Sequence, residues 1–451
     1  MAKSVRISEV GLRGIVGSGL SAEHVLDFAL AFGTFLGAGA VVVGRDPRAS
    51  SIMLREGVVA GLLACGREVI DLGLVSTPVV QHAISRHSAA GGISIGASHN
   101  SAEWNALKFL GAAGTYLSTA EAGELLDLYN LRRFAFADWK NIGKQRVEED
   151  ALDLYLNELA AVFDFAALSR FKIVVDCANG TSSKILRRLN DRHGFHFILI
   201  NERMGAFAHE PNTSASTVAL QLAPLIEPTD ADAGFLFDVD SDRVAMASET
   251  GEAVSEEMML PLLADYLLPR SRGKLVITNL STTALVEEIA SRHGGTVIRV
   301  PVGRQAATDA LAIYRPEEIA IAGEGTGAVM MPRFRFVYDG IASMLAVLSM
   351  MRERNAKLSE ILAGYPKYSI LKGQVPLIPQ RMPALFAELE RRYKDGRVNT
   401  IDGLRVDWPT KWFHVRVSQT EPVVRVICEH RGVTPRMLFQ ELMDQVRQYA
   451  S

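Results

Sequence analysis

The sequence predicts an α/β protein of three α/β/α units followed by a smaller α+β unit. Three observations predict it. The chain has 451 residues, room for about three or four domains of ordinary size. Short apolar strands alternate with amphipathic helices through most of its length. After Gly364-Tyr365-Pro366 that rhythm gives way to strands with few helices between them.

The first unit starts with a helix over roughly Ala22–Leu36, a GAGA turn and the strand 40–43. That stretch includes a run without formal charge from Phe28 to Gly44. Its four interspersed glycines and the flanking Asp27 and Arg45 suit a buried helix, a turn and a strand better than a membrane span. A helix near Ser51–Cys65, the strand EVIDLG (68–73), a helix near Pro78–Arg86 and the strand GGISIGA (91–97) follow. Helical periodicity over Glu149–Phe163 opens a second unit, which continues as FKIVVDCANG (171–180), a helix, FHFILI (195–200) and AGFLFDVD (233–240). The third repeats the theme with KLVITN (274–279), a helix Ser281–His293, TVIRVP (296–301), a helix near Gln305–Ile313 and EIAIAGEG (318–325). A helix over Pro435–Tyr449 closes the fourth. The expected boundaries are 1–147, 148–249, 250–364 and 365–451.

Composition narrows the function. Hydrophobic residues are 48% and charged residues 22% of the chain, the balance of a soluble globular protein. A net charge of −3 argues against nucleic acid as the main partner. Cys65, Cys177 and Cys428 are scattered and odd in number, so neither a disulfide framework nor a clustered zinc site is expected. The start, MAKSVRISEVGLRG, lacks the apolar core of a signal peptide. The expectation is a cytoplasmic enzyme without a membrane segment.

Asp238-Val239-Asp240-Ser241-Asp242-Arg243 follows an apolar strand directly. Three carboxylates at alternate positions converge as hard oxygen ligands suited to Mg²⁺. An EF-hand is excluded because Arg243 stands where its glycine belongs. A phosphatase with Asp238 as nucleophile remains open at this point. Gly96-Ala97-Ser98-His99-Asn100-Ser101 also ends a strand and sets a hydroxyl beside an imidazole. It is equally a Ser/Asn-rich turn, and Lys108 taken alone is a surface lysine. In Arg416–Pro422, Phe413, Val415 and Val417 share one strand face and His414, Arg416 and Ser418 the other. The cation and hydroxyls on that second face suit a phosphate. Gly323-Glu324-Gly325-Thr326-Gly327 offers a carboxylate and a hydroxyl to a polyol, and it lacks the spacing of a nucleotide loop. In Gly44-Arg45-Asp46-Pro47-Arg48-Ala49-Ser50-Ser51, Ser50 or Ser51 is expected to cap the next helix.

The set and order of these motifs, with Gly11-Leu12-Arg13-Gly14 before them, resemble the α-D-phosphohexomutase family along essentially the whole chain. The resemblance implies three related α/β/α domains and a C-terminal domain of TATA-binding-protein-like fold, each giving one loop to a central cleft. It implies a phosphoryl shuttle between sugar O1 and O6, with Ser98 phosphorylated and Mg²⁺ held by that phosphate and by Asp238, Asp240 and Asp242. Arg13, His99 and Lys108 match positions near the reacting phosphate, and Arg243 the arginine ending the metal loop. Glu324 and Thr326 match residues that hold sugar hydroxyls. Arg416, Ser418, Thr420 and Arg425 match the clamp for the phosphate that is not reacting. Hexose phosphates are the implied substrates, a sugar 1,6-bisphosphate the implied activator, and a monomer or homodimer the implied assembly. Ser101, Val239 and Ser241 depart from the commonest pattern and leave the chemical groups in place. Ala328 replaces a histidine carried by several members, which leaves a smaller and less polar wall beside the sugar. The resemblance favours glucosamine phosphate over mannose or glucose phosphate.

Overall fold

The computed structural model describes residues 6–8, 11–311, 313–418 and 421–450. Among them are four sheets, one for each unit read from the sequence. The first has the strand order Arg6–Ser8, Gly11–Ile15, Trp104–Gly111, Gly91–Ile95, Val41–Arg45, Val69–Leu74, Gln145–Val147. Its members from Gly91–Ile95 onward are parallel, and Trp104–Gly111 returns antiparallel to them. In the second sheet Ala233–Phe237, Lys172–Asp176 and His196–Ile200 are parallel, with Val244–Ser248 antiparallel at the edge. The third sets Thr296–Val300, Leu275–Asn279 and Ile319–Gly323 parallel, followed by the antiparallel Val329–Met331 and Arg335–Tyr338. The fourth is antiparallel throughout, in the order Tyr368–Pro376, Val423–Arg431, Lys411–Val417, Leu404–Asp407, Arg397–Asn399.

One topological place recurs in each sheet. The Ser98, Asp238–Arg243 and Gly323–Gly327 loops each leave the end of a parallel strand and lead into an antiparallel return. The loop after Val417 joins two antiparallel strands in the same way. A loop at that place is anchored on both sides by paired backbone, so its side chains are positioned by rigid elements while its centre stays free for chemistry.

Apolar burial welds the first three units together. One continuous core runs from Val42 and Val80 through Tyr155, Phe235 and Leu260 to Leu348 and Tyr365. A second core underlies the first sheet around Phe28, Phe32 and Phe109. The fourth unit keeps its own core, where Val415, Val424 and Val426 meet Leu385, Leu389 and Leu442 from its two longer helices, Met382–Arg392 and Arg436–Ala450. The helix Ala22–Phe35 is buried in protein, and no helix among the described residues is long and apolar enough to cross a membrane. The helix expected from Ser281 begins at Leu285 instead. Residues 281–284 are diverted because their polar groups bond Glu257 within the unit and Glu429 and His414 across the boundary to the fourth.

Candidate active site

The Ser98 loop is braced from beneath. Ser98 has φ of 51°, a left-handed conformation that costs a serine about 1 kcal/mol or more. Arg48 compensates. Buried completely, it donates to the carbonyls of Ser98 at 2.9 Å, Asn100 at 2.7 Å and Trp104 at 3.1 Å, and also to that of Ser101. Its Nε is held by Asp46 at 2.9 Å, and Asp46 also accepts from Ser51 Oγ at 2.7 Å. Gly96 is required beside this pair, since a Cβ there would sit 2.8 Å from Asp46 Oδ2. Ser50 takes the expected N-cap position of the next helix but makes no side-chain cap bond and accepts from Asn105 instead, while Ser51 is turned inward to Asp46.

Ser98 Oγ donates to Asp238 in a short hydrogen bond across the boundary between the first two units. Asp238, Asp240 and Asp242 can each place an oxygen within 4.8 Å of the others, all buried. Burial and the neighbouring Asp242 and Asp240 carboxylates push Asp238 well above the usual carboxylate range. Asp242 goes the other way: burial opposes its charge, but Arg304 and Lys108 overcome that and hold it well below the usual range. Asp240 Oδ1 is buried without a hydrogen-bond partner among the described residues. An unsatisfied buried carboxylate oxygen is costly, so this donor set suits a divalent hard cation. Asp238 is badly presented as a nucleophile, since it is fully buried and accepts from Ser98 and from the Arg243 backbone. The loop itself is tied down by Thr181, which donates to Val239 O from its backbone at 2.8 Å and its hydroxyl at 3.0 Å. Thr77 grips it from the first unit through Asp240 O and Oδ2, both at 3.1 Å.

Four cations and one neutral imidazole surround the carboxylates. Lys108, read in isolation as a surface lysine, is buried against Asp240 and, at 3.1 Å, Asp242. Burial would lower its pKa, but those two carboxylates raise it above the usual lysine value, which favours the charged form as their counter-ion. Burial, with Arg304 and Arg243 nearby, lowers Arg13 to about 10. His99 lies with Nδ1 3.4 Å from Ser98 Oγ. Its burial, with Arg243 and Arg13 close by, keeps the imidazole neutral. Arg304, which the motifs did not single out, grips Asp242 through both Nη atoms.

On the sugar side, Glu324 accepts from Tyr338 OH at 3.3 Å, and Thr326 Oγ1 donates to Glu324 at 3.5 Å. Ala328 does not form a wall of the cleft. Its side chain belongs to the buried core, and its carbonyl accepts from Glu324 N at 2.9 Å. In the fourth unit Arg416 is nearly buried, its Nε held by Asp402 at 2.9 Å, while its Nη2 has no hydrogen-bond partner among the described residues. Glu421 N donates to Ser418 Oγ at 3.2 Å, and Arg425 pairs with Glu421. Thr420 lies outside the described residues. Lys372, also missed, reaches from the fourth unit to Glu257 at 2.7 Å and to Gly325 O at 3.4 Å, which ties the fourth unit to the Gly323–Gly327 loop.

Three family profiles match in the order of the sheets. Phosphoglucomutase/phosphomannomutase alpha/beta/alpha domains I, II and III match residues 6–135, 153–251 and 255–368. A probable phosphoglucosamine mutase of Pyrococcus abyssi is 32% identical over 424 residues, 93% of this chain and 92% of that one. A phosphoglucomutase/phosphomannomutase of Thermococcus kodakarensis is 30% identical over 441 residues, 96% of each chain. A phosphoglucomutase/phosphomannomutase family protein of Burkholderia thailandensis superposes with a TM-score of 0.82 at 26% identity, covering 98% of this chain and 97% of that one. The N-acetylphosphoglucosamine mutase of Aspergillus fumigatus, solved with GlcNAc-6P and magnesium, shares the fold at a TM-score of 0.61 and 15% identity, over 100% of this chain and 96% of that one.

Proposed function

The chain belongs to the α-D-phosphohexomutase family and is a phosphohexomutase, and we propose that it moves a phosphoryl group between O6 and O1 of a hexose phosphate through Ser98. The observation that carries this reading is the Ser98 hydroxyl, delivered by a braced loop onto the first carboxylate of the acidic triad. In the first half-reaction the Ser98 Oγ–P bond breaks as a bond forms from phosphorus to a sugar hydroxyl oxygen. The proton lost by that hydroxyl ends on Ser98 Oγ, which Asp238 then receives as a hydrogen bond. The sugar bisphosphate turns end over end, and the second half-reaction returns the other phosphoryl group to Ser98. Asp238, Asp240 and Asp242 would hold Mg²⁺, which supplies neutralisation of the transferring oxygens. Arg13 and Arg243 add positive charge beside them, and neutral His99 leaves the nucleophile unencumbered by a further cation. Arg416, whose Nη2 has no hydrogen-bond partner among the described residues, and Ser418 would hold the phosphate that is not reacting, Arg425 and Thr420 completing that clamp. Glu324 and Thr326 would bind the 3- and 4-hydroxyls.

Glucosamine phosphate is the proposed best substrate, a choice supported by several relatives named as probable phosphoglucosamine mutases. Glu324 and Thr326 do not discriminate at carbon 2, and the buried Ala328 adds no contact there. The test is a coupled assay on the 1-phosphates of glucosamine, glucose and mannose with the matching bisphosphate present, run beside Ser98→Ala. The wild type should turn over all three, glucosamine phosphate fastest, and Ser98→Ala should lose at least a thousandfold with its fold intact. Undiminished turnover in Ser98→Ala would overturn the serine assignment. A tenfold preference for mannose or glucose would overturn the sugar alone.

A further inference from the structure

Arg304 stands where the first three units meet. It is the first residue of the helix Arg304–Leu311, and it reaches Asp242 through Nη1 at 2.5 Å and Nη2 at 3.0 Å. Its Nη1 also donates to Tyr116 OH, and the guanidinium lies 5.2 Å from the Tyr116 ring centroid and 5.3 Å from that of Tyr338. Tyr338 in turn donates to Glu324 of the sugar loop. The arginine therefore touches the metal loop, a residue of the first unit, and the partner of a sugar-binding carboxylate.

The charges explain why it is there. Three buried carboxylates within 4.8 Å repel one another strongly unless cations compensate them. Lys108 compensates Asp240 and part of Asp242, and Arg304 takes both oxygens of Asp242. A two-pronged guanidinium grip takes one lone pair on each Asp242 oxygen and leaves a second on each. A divalent cation on the same carboxylate would set two positive centres side by side, and their repulsion would loosen the guanidinium grip. The two tyrosine faces keep it in the cleft when its grip loosens, because cation–π attraction survives without the carboxylate.

We propose that Arg304 is an exchanging counter-ion: it competes with the divalent cation for Asp242 and, once displaced, turns to the transferring phosphoryl group as a further catalytic residue. The proposal rests on the metal-loop reading above. It differs from a structural role in sign. A merely structural arginine would weaken metal binding when removed, whereas a competitor would strengthen it.

The experiment uses the full-length dephosphorylated protein with Mn²⁺ as the probe, free Mn²⁺ being read by electron paramagnetic resonance. Arg304→Gln should bind Mn²⁺ about three- to tenfold more tightly than the wild type. Arg304→Lys, which keeps the charge but cannot grip both oxygens, should fall between them. In single-turnover transfer from the phosphorylated enzyme, Arg304→Gln should nevertheless be slower by tenfold or more, with Arg304→Lys partly rescued. Unchanged or weaker Mn²⁺ binding in Arg304→Gln overturns the proposal, and if that variant does not fold, the same result in Arg304→Lys does so. Asp242→Asn separates the two ideas. If it weakens Mn²⁺ binding while Arg304→Gln does not strengthen it, the exchange alone falls. If Asp242→Asn leaves Mn²⁺ binding untouched, the metal-loop reading falls and the exchange with it.

Discussion

The seam between the first three units and the seam to the fourth are built from different materials. Units one to three share one apolar core, with Tyr155 OH also hydrogen-bonded to Asp339 across the second and third units at 2.9 and 3.0 Å. The fourth unit adds Tyr365 and Tyr368 to the edge of that core but meets the third chiefly through polar contacts. Ser281 Oγ and His414 Nδ1 are 2.9 Å apart, Ala284 N donates to Glu429 at 2.7 Å, and Arg405 donates to Leu280 O. Asp402 adds a strut by accepting from Val302 N at 2.9 Å while holding Arg416. Apolar burial has no replacement partner in water, but a hydrogen bond lost at a seam is replaced by one to solvent. Serine, carboxylates and cations thus sit on the apolar-welded side, and Arg416 sits on the unit with the exchangeable contacts. The proposed end-over-end turn of a bisphosphate would suit that division, since the proposed clamp would have to release it and take it again.

The comparison is broken most forcefully on the apolar-welded side. Asp240→Asn should lower phosphoryl transfer on the order of a hundredfold or more. It removes a hard ligand and also the partner of Lys108 and Thr77. The KM for sugar phosphate should change little, because the clamp is remote from the change. Activity titrated against Mg²⁺ checks this, and an unaltered metal requirement would exclude Asp240 as a ligand. Arg416→Ala on the side of the polar seam should show the opposite split. Losing a charged hydrogen-bond donor to phosphate is worth about 1.5–3 kcal/mol, a KM increase of roughly ten- to a hundredfold with kcat less affected. Steady-state kinetics in both directions tests it, and equal KM values would move the phosphate elsewhere.

These assignments divide by how local their signals are. The carboxylates, Ser98 and the strand faces of Arg416 were legible because short-range pattern carries them: acid after an apolar strand, alternation along a strand. The four units were legible for the same reason. What could not be read is what depends on pairing between distant segments. Lys108 looks like a surface lysine until the 132-residue separation from Asp240 is closed. Arg304 lies just past Pro301-Val302-Gly303, and nothing local says its partner is Asp242. Arg48 was in view within its motif, yet its four carbonyl acceptors lie on a loop some fifty residues on. Ala328 misled for a related reason. A small apolar residue next to a functional loop reads as a cavity wall, and only the return strand shows it packed in the core.

The smallest expected effect probes the polar seam by pH. His414 is buried between Ser281 and the carbonyl of Asp402, with Nε2 2.6 Å from that oxygen. Burial is the main reason its pKa falls to about 4, with Arg416 and Arg405 adding to the decrease and the Asp402 contacts opposing it. An unfolded histidine titrates near 6.5. Between those values the unfolded chain binds a proton that the folded chain refuses, so stability is intact above about 6.5 and falls as pH drops toward 4. The loss should approach 2–3 kcal/mol, on the order of what a shift of that size implies. It should appear in the fourth unit, which carries His414, and hydrogen exchange resolved by unit separates it from the acid sensitivity of His82, which is buried against Tyr155 between the first two units with its pKa also lowered by burial. His414→Gln stays neutral throughout and should flatten that part of the pH dependence, even at lower stability at pH 7. Thermal unfolding at pH 7, 5.5 and 4.5, with hydrogen exchange resolved by unit, provides the measurement. If both proteins lose stability in parallel, the seam does not depend on the neutral imidazole, and the contrast between the two seams must rest on the carboxylate contacts of Glu429 and Asp402 alone.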